Sequence, residues 1–239
     1  MSDEIGYHNR KSPICSNICS LLISLTREPL KYDETAPKIE YWIEYVLRED
    51  FSTVDELVEG VSYMAWEGSD SFTNVGRFFK EFRDAPHRSE RARTFVTQLC
   101  SHVLRWFAIA SAEDLRVTRC LVTSGREFGF IRAASFIGYL IEWGLLSHEL
   151  VRRHLTKPLT NLNHSWDTRA NAIYQLFIAA GNTLLQGLLE PDDVRACFSL
   201  LDSCFKFLDA RRLQQMGFDA EKLKVQHKLT AMSLLKPNL

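Results

Sequence analysis

The sequence predicts an all-α protein built from antiparallel helix pairs, and three observations lead to that prediction. Apolar residues recur about every 3.6 positions along almost the whole chain, as they do on one face of an amphipathic helix. No segment shows the sustained alternation of apolar and polar residues that is typical of a β-strand. The 239 residues include only 11 glycines and 7 prolines, too few for a fold with many tight turns.

Long apolar stripes indicate the helices of the first half of the chain. Each stripe has the i, i+3, i+4, i+7 spacing of a buried helix face. Ser52, with Asp55 three positions later, is the predicted N-cap of the second of these helices. The stripes lie at residues 39–47, 54–61, 75–82 and 92–107.

The second half continues the pattern with further helices. Ser147 is the predicted N-cap of a helix that ends near Pro158, and either Ser165 or Asp167 opens another that ends near Gly181. The other predicted helices lie around residues 115–122, 131–141, 191–208 and 219–234.

The helices follow one another with short connections, a pair about every 40 residues, which falls in the range of helical solenoid repeats. Similarity between the pairs is weak, so the period alone leaves both a solenoid and a globular bundle open. No linker rich in glycine, serine or proline interrupts the middle of the chain. We therefore expect a single domain over residues 13–235, preceded by a disordered or extended segment at residues 1–12.

A more specific motif lies at residues 135–147, which read SFIGYLIEWGLLS. This segment resembles the central motif of the MIF4G domain, the middle region of translation initiation factor 4G, whose pattern is roughly Phe-Ile-Gly-Glu-Leu-Phe-Lys-Leu-Gly-Leu-Leu-Ser/Thr. Residues 19–26, 64–82 and 166–185 resemble flanking segments of that family in the same order. The resemblance covers about residues 15–215.

The resemblance implies both a fold and a function. The fold is a HEAT-like solenoid of about five antiparallel helix pairs, an ARM-type superhelix, in which Gly138 allows a neighbouring helix to approach closely. The function is that of a non-catalytic scaffold in mRNA metabolism. Such a scaffold is a translation-related adaptor that grips a DEAD-box RNA helicase of the initiation factor 4A type.

Two departures from the family pattern keep other functions open. Tyr139 stands where the family has an acidic residue, and the basic residue usual before the phenylalanine is displaced to Arg132. One alternative is a HEAT-like protein-interaction scaffold with a non-helicase partner in RNA decay or nuclear RNA processing. Another is a weak RNA-binding module, although the net charge of −1 lacks the basic excess usual for such proteins.

The sequence contains no motif for catalysis or cofactor binding. His148 and His154 are six positions apart, about 120° around a helix, so they do not share one metal ion as histidines four apart do. Gly125 and Gly129, interpreted as a helix junction, lack the Lys-Ser/Thr of a phosphate-binding loop. We expect a protein that is not an enzyme and has no cofactor, metal or small-molecule substrate.

Charge is spread unevenly, and this pattern selects the candidate binding residues. Residues 28–84 carry 14 acidic against 6 basic residues, whereas residues 85–135 carry 8 arginines against 4 acidic residues. Guanidinium groups bind phosphate or carboxylate bidentately, so these arginines suit RNA or an acidic protein patch, with local salt bridges as the alternative. Tryptophans near helix ends are candidate interface anchors. The candidates are Arg116, Arg119, Arg126, Arg132, Arg152, Arg153, Trp66 and Trp166.

The compartment is inferred from the ends of the chain and the cysteines. The first residues are polar, unlike a secretory signal, and the longest apolar stretch is interrupted by Glu142 and too short to span a bilayer. Six cysteines in a chain of this size do not indicate a disulfide framework. The sequence predicts a reduced, cytoplasmic protein without a membrane partner, with the nucleus as the alternative location.

Overall fold

The computed structural model describes residues 13–49, 51–67, 72–112, 123–147, 149–151, 155, 166–180 and 199. Within those ranges the chain forms helices, turns and short connections but no β-strand, which confirms the all-α prediction for this part of the chain. None of the helices in those ranges has the length and apolarity needed to cross a membrane.

Seven α-helices and one 3₁₀ turn account for most of the described residues, and residues 149–151 and 199 are helical as well. The 3₁₀ turn, Pro29–Lys31, leads directly from the first α-helix into the second. Proline suits the start of such a turn because its missing N–H would have no partner there. In chain order the helices are α1 Pro13–Arg27, α2 Tyr32–Glu49, α3 Phe51–Glu67, α4 Thr73–Asp84, α5 Glu90–Ala112, α6 Thr123–Glu142 and α7 Trp166–Ala180.

Contacts divide the chain into two compact units, Met1–Val103 and Leu104–Leu239, which meet in sequence within α5. In the first unit α1 is the central element, because it packs against α2, α3 and α4. Its buried residues recur every three or four positions and so form one apolar face. They are Cys15, Ile18, Leu22 and Leu25.

The apolar stripes predicted for α2 to α5 are buried, which confirms the period from which they were inferred. Trp42 is the exception, since it lies at the edge of its stripe and is half-buried. Full burial of one such side chain contributes about 1.5–3 kcal/mol. The buried residues are Ile39, Ile43, Val46, Leu47, Val54, Leu57, Val58, Val61, Val75, Phe78, Phe79, Phe82, Ala92, Phe95, Val96, Leu99, Cys100, Val103, Leu104 and Phe107.

Two of the predicted local features were wrong. Helix α3 begins at Phe51, so Ser52 lies inside its first turn and is not its N-cap. Serine and aspartate also occur inside helices at a small cost in helix propensity, so their spacing alone does not fix where the helix starts. Gly125 and Gly129 lie inside α6, near its start, and not at a helix junction. Each glycine costs a helix only about 1 kcal/mol relative to alanine, which a helix of 20 residues can accommodate.

The C-terminal end of α6 is fixed by backbone geometry. Gly144 has φ of +64°, the left-handed conformation in which glycine is favoured. The Leu145 N–H donates to the Leu140 carbonyl at 2.8 Å, and the Gly144 N–H donates to the Ile141 carbonyl at 2.9 Å. These two bonds form a Schellman motif, which satisfies carbonyls that a helix end would otherwise leave free.

The second unit contains a tight contact between α6 and α7. A Cβ atom on Gly138 would lie 2.6 Å from the Ala179 Cβ and 2.7 Å from the Leu176 carbonyl oxygen. The expectation that Gly138 lies at a helix–helix contact is therefore confirmed. Apolar residues near Gly138 on the same helix are buried: Phe136, Ile137, Leu140 and Ile141.

The connection after α6 contains a second capped turn. The Leu150 N–H donates to Ser147 Oγ at 3.3 Å, which confirms the predicted N-cap at Ser147. Helix α7 ends at Ala180, directly before Gly181, as expected. The predicted helices at residues 115–122, 191–208 and 219–234 lie outside the described residues, apart from residue 199, and so does the segment 1–12.

Candidate functional site

Helix α2 has an apolar inner face and a polar, aromatic outer face. Positions 34, 38, 41, 45 and 48 alternate steps of four and three residues, the spacing that keeps side chains on one stripe of a helix. All five side chains on this stripe are exposed. We call them the outer stripe of α2: Glu34, Lys38, Tyr41, Tyr45 and Arg48.

Two tyrosines form the centre of the outer stripe. Tyr41 is 64% exposed and Tyr45 is 41% exposed, and Leu30 is the other large apolar side chain exposed within the described ranges. The ring centroid of Trp42 lies 5.3 Å from that of Tyr41 and 6.1 Å from that of Tyr45, edge to face in both pairs. Aromatic pairs favour this geometry, so Trp42 holds both tyrosine rings in defined positions on the surface.

A cleft opens beside the outer stripe, between the C-terminal half of α2 and the start of α5. Its volume is about 510 Å³. Basic side chains outnumber acidic ones among the described residues that line it. We call it the α2–α5 cleft, and its lining residues are Glu44, Leu47, Arg48, His87, Arg88, Ser89 and Arg91.

Arg88 is the fixed element at the wall of this cleft. Its side chain is only 7% exposed and pairs with both Glu40 and Glu44, with 2.9 Å between Nη1 and the Oε1 of Glu44. The guanidinium carbon also lies 4.7 Å from the centroid of the Phe82 ring. Burial lowers the pKa of Arg88, yet an arginine stays charged at neutral pH. The two carboxylates therefore hold a charge that would otherwise be costly to bury.

The loop between α4 and α5 brings Arg88 to this position. The Ala85 N–H donates to the Glu81 carbonyl at 3.1 Å as α4 ends, and the Arg88 N–H donates to the Ala85 carbonyl at 3.0 Å. Ser89 then caps α5, because its Oγ accepts a hydrogen bond from the Ala92 N–H at 3.2 Å. A turn and an N-cap thus fix the backbone on both sides of the arginine.

A second polar cluster attaches the other end of α2 to α4. The Tyr32 hydroxyl donates to the Glu81 Oε2 at 2.6 Å, and the Arg77 Nε donates to the Glu81 Oε1 at 2.8 Å. The Arg77 guanidinium lies 4.1 Å from the centroid of the Tyr32 ring. Burial and the bond to Glu81 raise the pKa of Tyr32. Burial opposes ionisation of Glu81, but the two hydrogen bonds outweigh it and lower the pKa of that carboxyl.

Polar contacts therefore attach α2 near both of its ends. Tyr32 in its first turn bonds to α4, and Glu44 near its C-terminal end pairs with Arg88 in the loop after α4. The outer stripe and the α2–α5 cleft lie on this fixed helix. A partner that docks here would meet side chains that are already positioned, which lowers the ordering cost of binding.

The structure describes only part of the site predicted from the sequence. Arg132 lies on α6 and is half-buried. Arg126 lies near the start of the same helix, Trp66 near the end of α3 and Trp166 at the start of α7, but the side chains of these three residues are not among those described. Arg116, Arg119, Arg152 and Arg153 lie outside the described residues, and so do His148 and His154.

The outer stripe was missed in the sequence, although a signal for it is present. Tyr41 and Tyr45 lie between the apolar positions of the α2 stripe, on the face opposite Ile39 and Ile43. Aromatic residues at polar positions of an amphipathic helix are expected on the surface. The burial of Arg88 carries no comparable signal, because its partners Glu40 and Glu44 are more than 40 positions away in the sequence.

The described residues contain no group of three or more histidine, cysteine or acidic side chains that could hold a metal ion. The chain matches no protein-family model, no curated protein and no solved structure.

Proposed function

We propose that this chain is a non-catalytic helical scaffold in mRNA metabolism, with a HEAT-like arrangement of MIF4G type, that binds a DEAD-box RNA helicase of the initiation factor 4A type. The scaffold contributes geometry to its partner and no chemistry of its own. The nature of the partner rests on the resemblance of residues 135–147 to the central MIF4G motif.

The observation that carries the protein-binding part of this proposal is the α2–α5 cleft beside the exposed tyrosines. Arginine, tyrosine and tryptophan are enriched among the residues that dominate protein–protein affinity. Here Arg48 and Arg91 line an open cleft whose wall is fixed by Arg88, and Arg48 shares the outer stripe of α2 with the exposed Tyr41 and Tyr45.

The charge of the cleft specifies the kind of contact that it would make. Arg88 is paired with Glu40 and Glu44, whereas Arg48 is 77% exposed and its Nη2 lies 3.9 Å from Glu44 Oε2. An acidic side chain of the partner would be drawn to the cleft by Arg48 and Arg91. Such a contact accelerates association and selects the partner, and it weakens as salt screens the charges.

A scaffold on the same fold with a non-helicase partner is the second candidate. Tyr139 favours it, because this half-buried aromatic residue stands where the MIF4G pattern has an acidic one. A partner that recognises that acidic residue in the family would lose a contact here. The cleft would serve such a scaffold equally well, so the identity of the partner must be decided by experiment.

Titration calorimetry at low salt with the initiation-type helicase of the same organism tests the proposal. We expect binding by the wild-type chain and at least about tenfold weaker binding by Arg91→Glu, because the substitution places an acid in the cleft. Arg93→Glu is the matched control, since Arg93 is exposed on the same helix but does not line the cleft. It should bind like the wild type.

Three outcomes would count against the proposal. No heat and no co-elution with the helicase would favour the non-helicase scaffold. Equal affinity of wild type and Arg91→Glu would place the contact outside the cleft. An equal loss in Arg91→Glu and Arg93→Glu would indicate a general effect of net charge and not a defined site.

A further inference from the structure

The residues of the outer stripe of α2 follow an order that is complementary to a second copy of the same stripe running in the opposite direction. Read along the helix it presents an acid, a base, two tyrosines and a base: Glu34, Lys38, Tyr41, Tyr45 and Arg48. Glu34 lies seven positions before Tyr41, and Arg48 lies seven positions after it. We propose that the outer stripe of α2 pairs antiparallel with the same stripe of a second copy of this chain, around a two-fold axis at Tyr41.

The register of this pairing follows from helix geometry. At a rise of 1.5 Å per residue, Glu34 and Arg48 each lie about 10 Å from the level of Tyr41. A two-fold axis at Tyr41 therefore brings each Glu34 level with Arg48 of the other copy. Lys38 lies about 4.5 Å from the level of the axis and Tyr45 about 6 Å from it. Lys38 of one copy therefore comes nearly level with Tyr45 of the other copy. The alternating steps of four and three residues keep all these layers on the contact face.

Each layer of the antiparallel pair is favourable. Tyr41 meets Tyr41 of the other copy, and aromatic pairs stabilise interfaces beyond the area that they bury. Lys38 meets the ring of Tyr45, which attracts a cation. Glu34 meets Arg48, which forms an ion pair of opposite charges at each end. An isologous contact of this kind uses one self-complementary patch on both subunits, as closed two-fold dimers do.

The parallel alternative is unfavourable, because it would place like charges opposite one another. Glu34 would face Glu34, Lys38 would face Lys38, and Arg48 would face Arg48. Like charges across an interface oppose association, so the order of the residues specifies the antiparallel direction. A helix of another protein could also dock here, but such a partner would not require the outer stripe to be complementary to itself. The self-complementary order therefore favours a second copy of this chain.

The stripe is available and prearranged for such a contact. Tyr41 and Tyr45 are held edge to face by Trp42, and Arg48 is 77% exposed. The attachments of α2 through Tyr32 and Glu44 fix the helix before it pairs. One helix pair is expected to bury less than the ~1,600 Å² of a standard interface, so we expect a weak dimer with a dissociation constant of about 1–100 µM.

Sedimentation equilibrium of the full chain, over concentrations from about 1 to 300 µM, measures this dimer. We expect Glu34→Arg and Arg48→Glu each to raise the dissociation constant at least about tenfold, because each creates two like-charge contacts per dimer. The double variant carrying both substitutions restores opposite charges in the dimer. Its dissociation constant should return to within about threefold of the wild type.

Cysteine cross-linking tests the register independently. Tyr41→Cys should form a covalent dimer when oxidised glutathione is added, because the two-fold axis brings both copies of position 41 together. Tyr45→Cys is the matched control, since the two copies of position 45 would lie about 12 Å apart along the helix axis. The wild-type chain gives the background from its own cysteines.

Folding and partner binding are followed separately in the same variants. Circular dichroism checks that each variant is folded. We expect every variant to fold, because all four substituted positions are exposed. Arg91 lines the α2–α5 cleft but lies outside the outer stripe, so Arg91→Glu should dimerise as the wild type does while it loses affinity for the helicase. Loss of the dimer and loss of the proposed partner are thereby distinguishable.

Several results would overturn the inference. A wild-type chain that stays monomeric up to 300 µM would exclude the dimer. A wild-type dimer that both single variants leave intact would place the interface elsewhere. Failure of the double variant to recover, or cross-linking of Tyr45→Cys as efficiently as Tyr41→Cys, would exclude the antiparallel register and favour a foreign helix as the occupant.

Discussion

Helices α2 and α6 belong to different compact units, and they differ in what surrounds them. Between Phe130 and Ile141, α6 is buried around most of its circumference, and only Ile131, Arg132 and Tyr139 are half-exposed. Helix α2 is buried on one face and exposes two tyrosines on the other. A helix that is apolar all round belongs to a core, whereas a two-faced helix separates packing from recognition.

This difference predicts which substitutions affect the stability of the fold and which affect the binding of partners. In α6 the closest approach is between backbones, so extra atoms have no room. In α2 the inner face and the two end contacts maintain the fold, while the outer stripe is open to partners. Substitutions test that division, and the largest effect is expected where the packing is tightest.

Substitution of Gly138 should produce the largest loss of stability. A Cβ there would lie 2.7 Å from the Leu176 carbonyl oxygen, which is backbone and cannot move aside as a side chain can. We expect Gly138→Leu to lower the free energy of unfolding by about 3 kcal/mol. Denaturant titration followed by circular dichroism measures the change.

Gly144 provides the control for this prediction. A Cβ at Gly144 would meet nothing within 4 Å, and its constraint is a φ of +64°. Gly144→Asn should therefore cost less than about 1 kcal/mol, because asparagine adopts left-handed φ values more readily than most residues. A Gly138→Leu variant that unfolds like the wild type would show that α6 and α7 are not tightly packed.

Loss of Arg88 should have the next largest effect on stability. Arg88→Met keeps a long apolar side chain over Phe82 but leaves Glu40 and Glu44 without their shared cation. Because both carboxylates are partly exposed, we expect a loss of about 2 kcal/mol, less than for a fully buried pair. Arg93→Met, at an exposed position, should change stability by less than about 0.5 kcal/mol. Equal effects of the two substitutions would contradict the anchoring role of Arg88.

The smallest of these losses is expected for Tyr32→Phe. The variant keeps the ring under Arg77 and removes only the hydroxyl that donates to Glu81. Since Glu81 is about half exposed, we expect a loss of about 1 kcal/mol at neutral pH. Tyr41→Phe removes an exposed hydroxyl from the outer stripe and should have almost no effect on the stability of the monomer.

The pH dependence of the Tyr32→Phe effect follows from the lowered pKa of Glu81. A carboxyl with a lowered pKa in the folded state stabilises the fold above its unfolded pKa, and the contribution is lost as the pH falls through the folded value. The difference between wild type and Tyr32→Phe should thus be full at pH 7 and shrink below about pH 4. A difference that stays constant down to pH 3 would show that Glu81 is not the acceptor.

Much of the fold could be predicted from the sequence because helix burial follows a local period. The stripes from Ile39 to Phe107 are buried as expected, and Ser147 caps its turn. Gly138 was identified through a motif, and its close contact with Ala179 follows the same reasoning. Errors arose where local signals compete, as at Ser52, where the residues of a first turn resemble a cap.

The candidate site was harder to predict, because its contacts are distant in the sequence. Arg88 pairs with residues on α2, and Tyr32 bonds to Glu81 on α4, across 49 positions. No period relates such residues. Tyr41 and Tyr45 could have been found, since their positions on the polar side of α2 are a local property of the sequence.

We propose that this chain is a scaffold that accelerates the cycle of a helicase partner, and the ATPase rate of that partner is the measurement to make. The measurement is the RNA-stimulated ATP hydrolysis of the initiation-type helicase with increasing amounts of the chain at low salt. We expect the rate to rise with the wild-type chain and with Arg93→Glu, to rise much less with Arg91→Glu, and to be absent for the chain alone. An unchanged helicase rate at saturating wild-type chain would contradict the account.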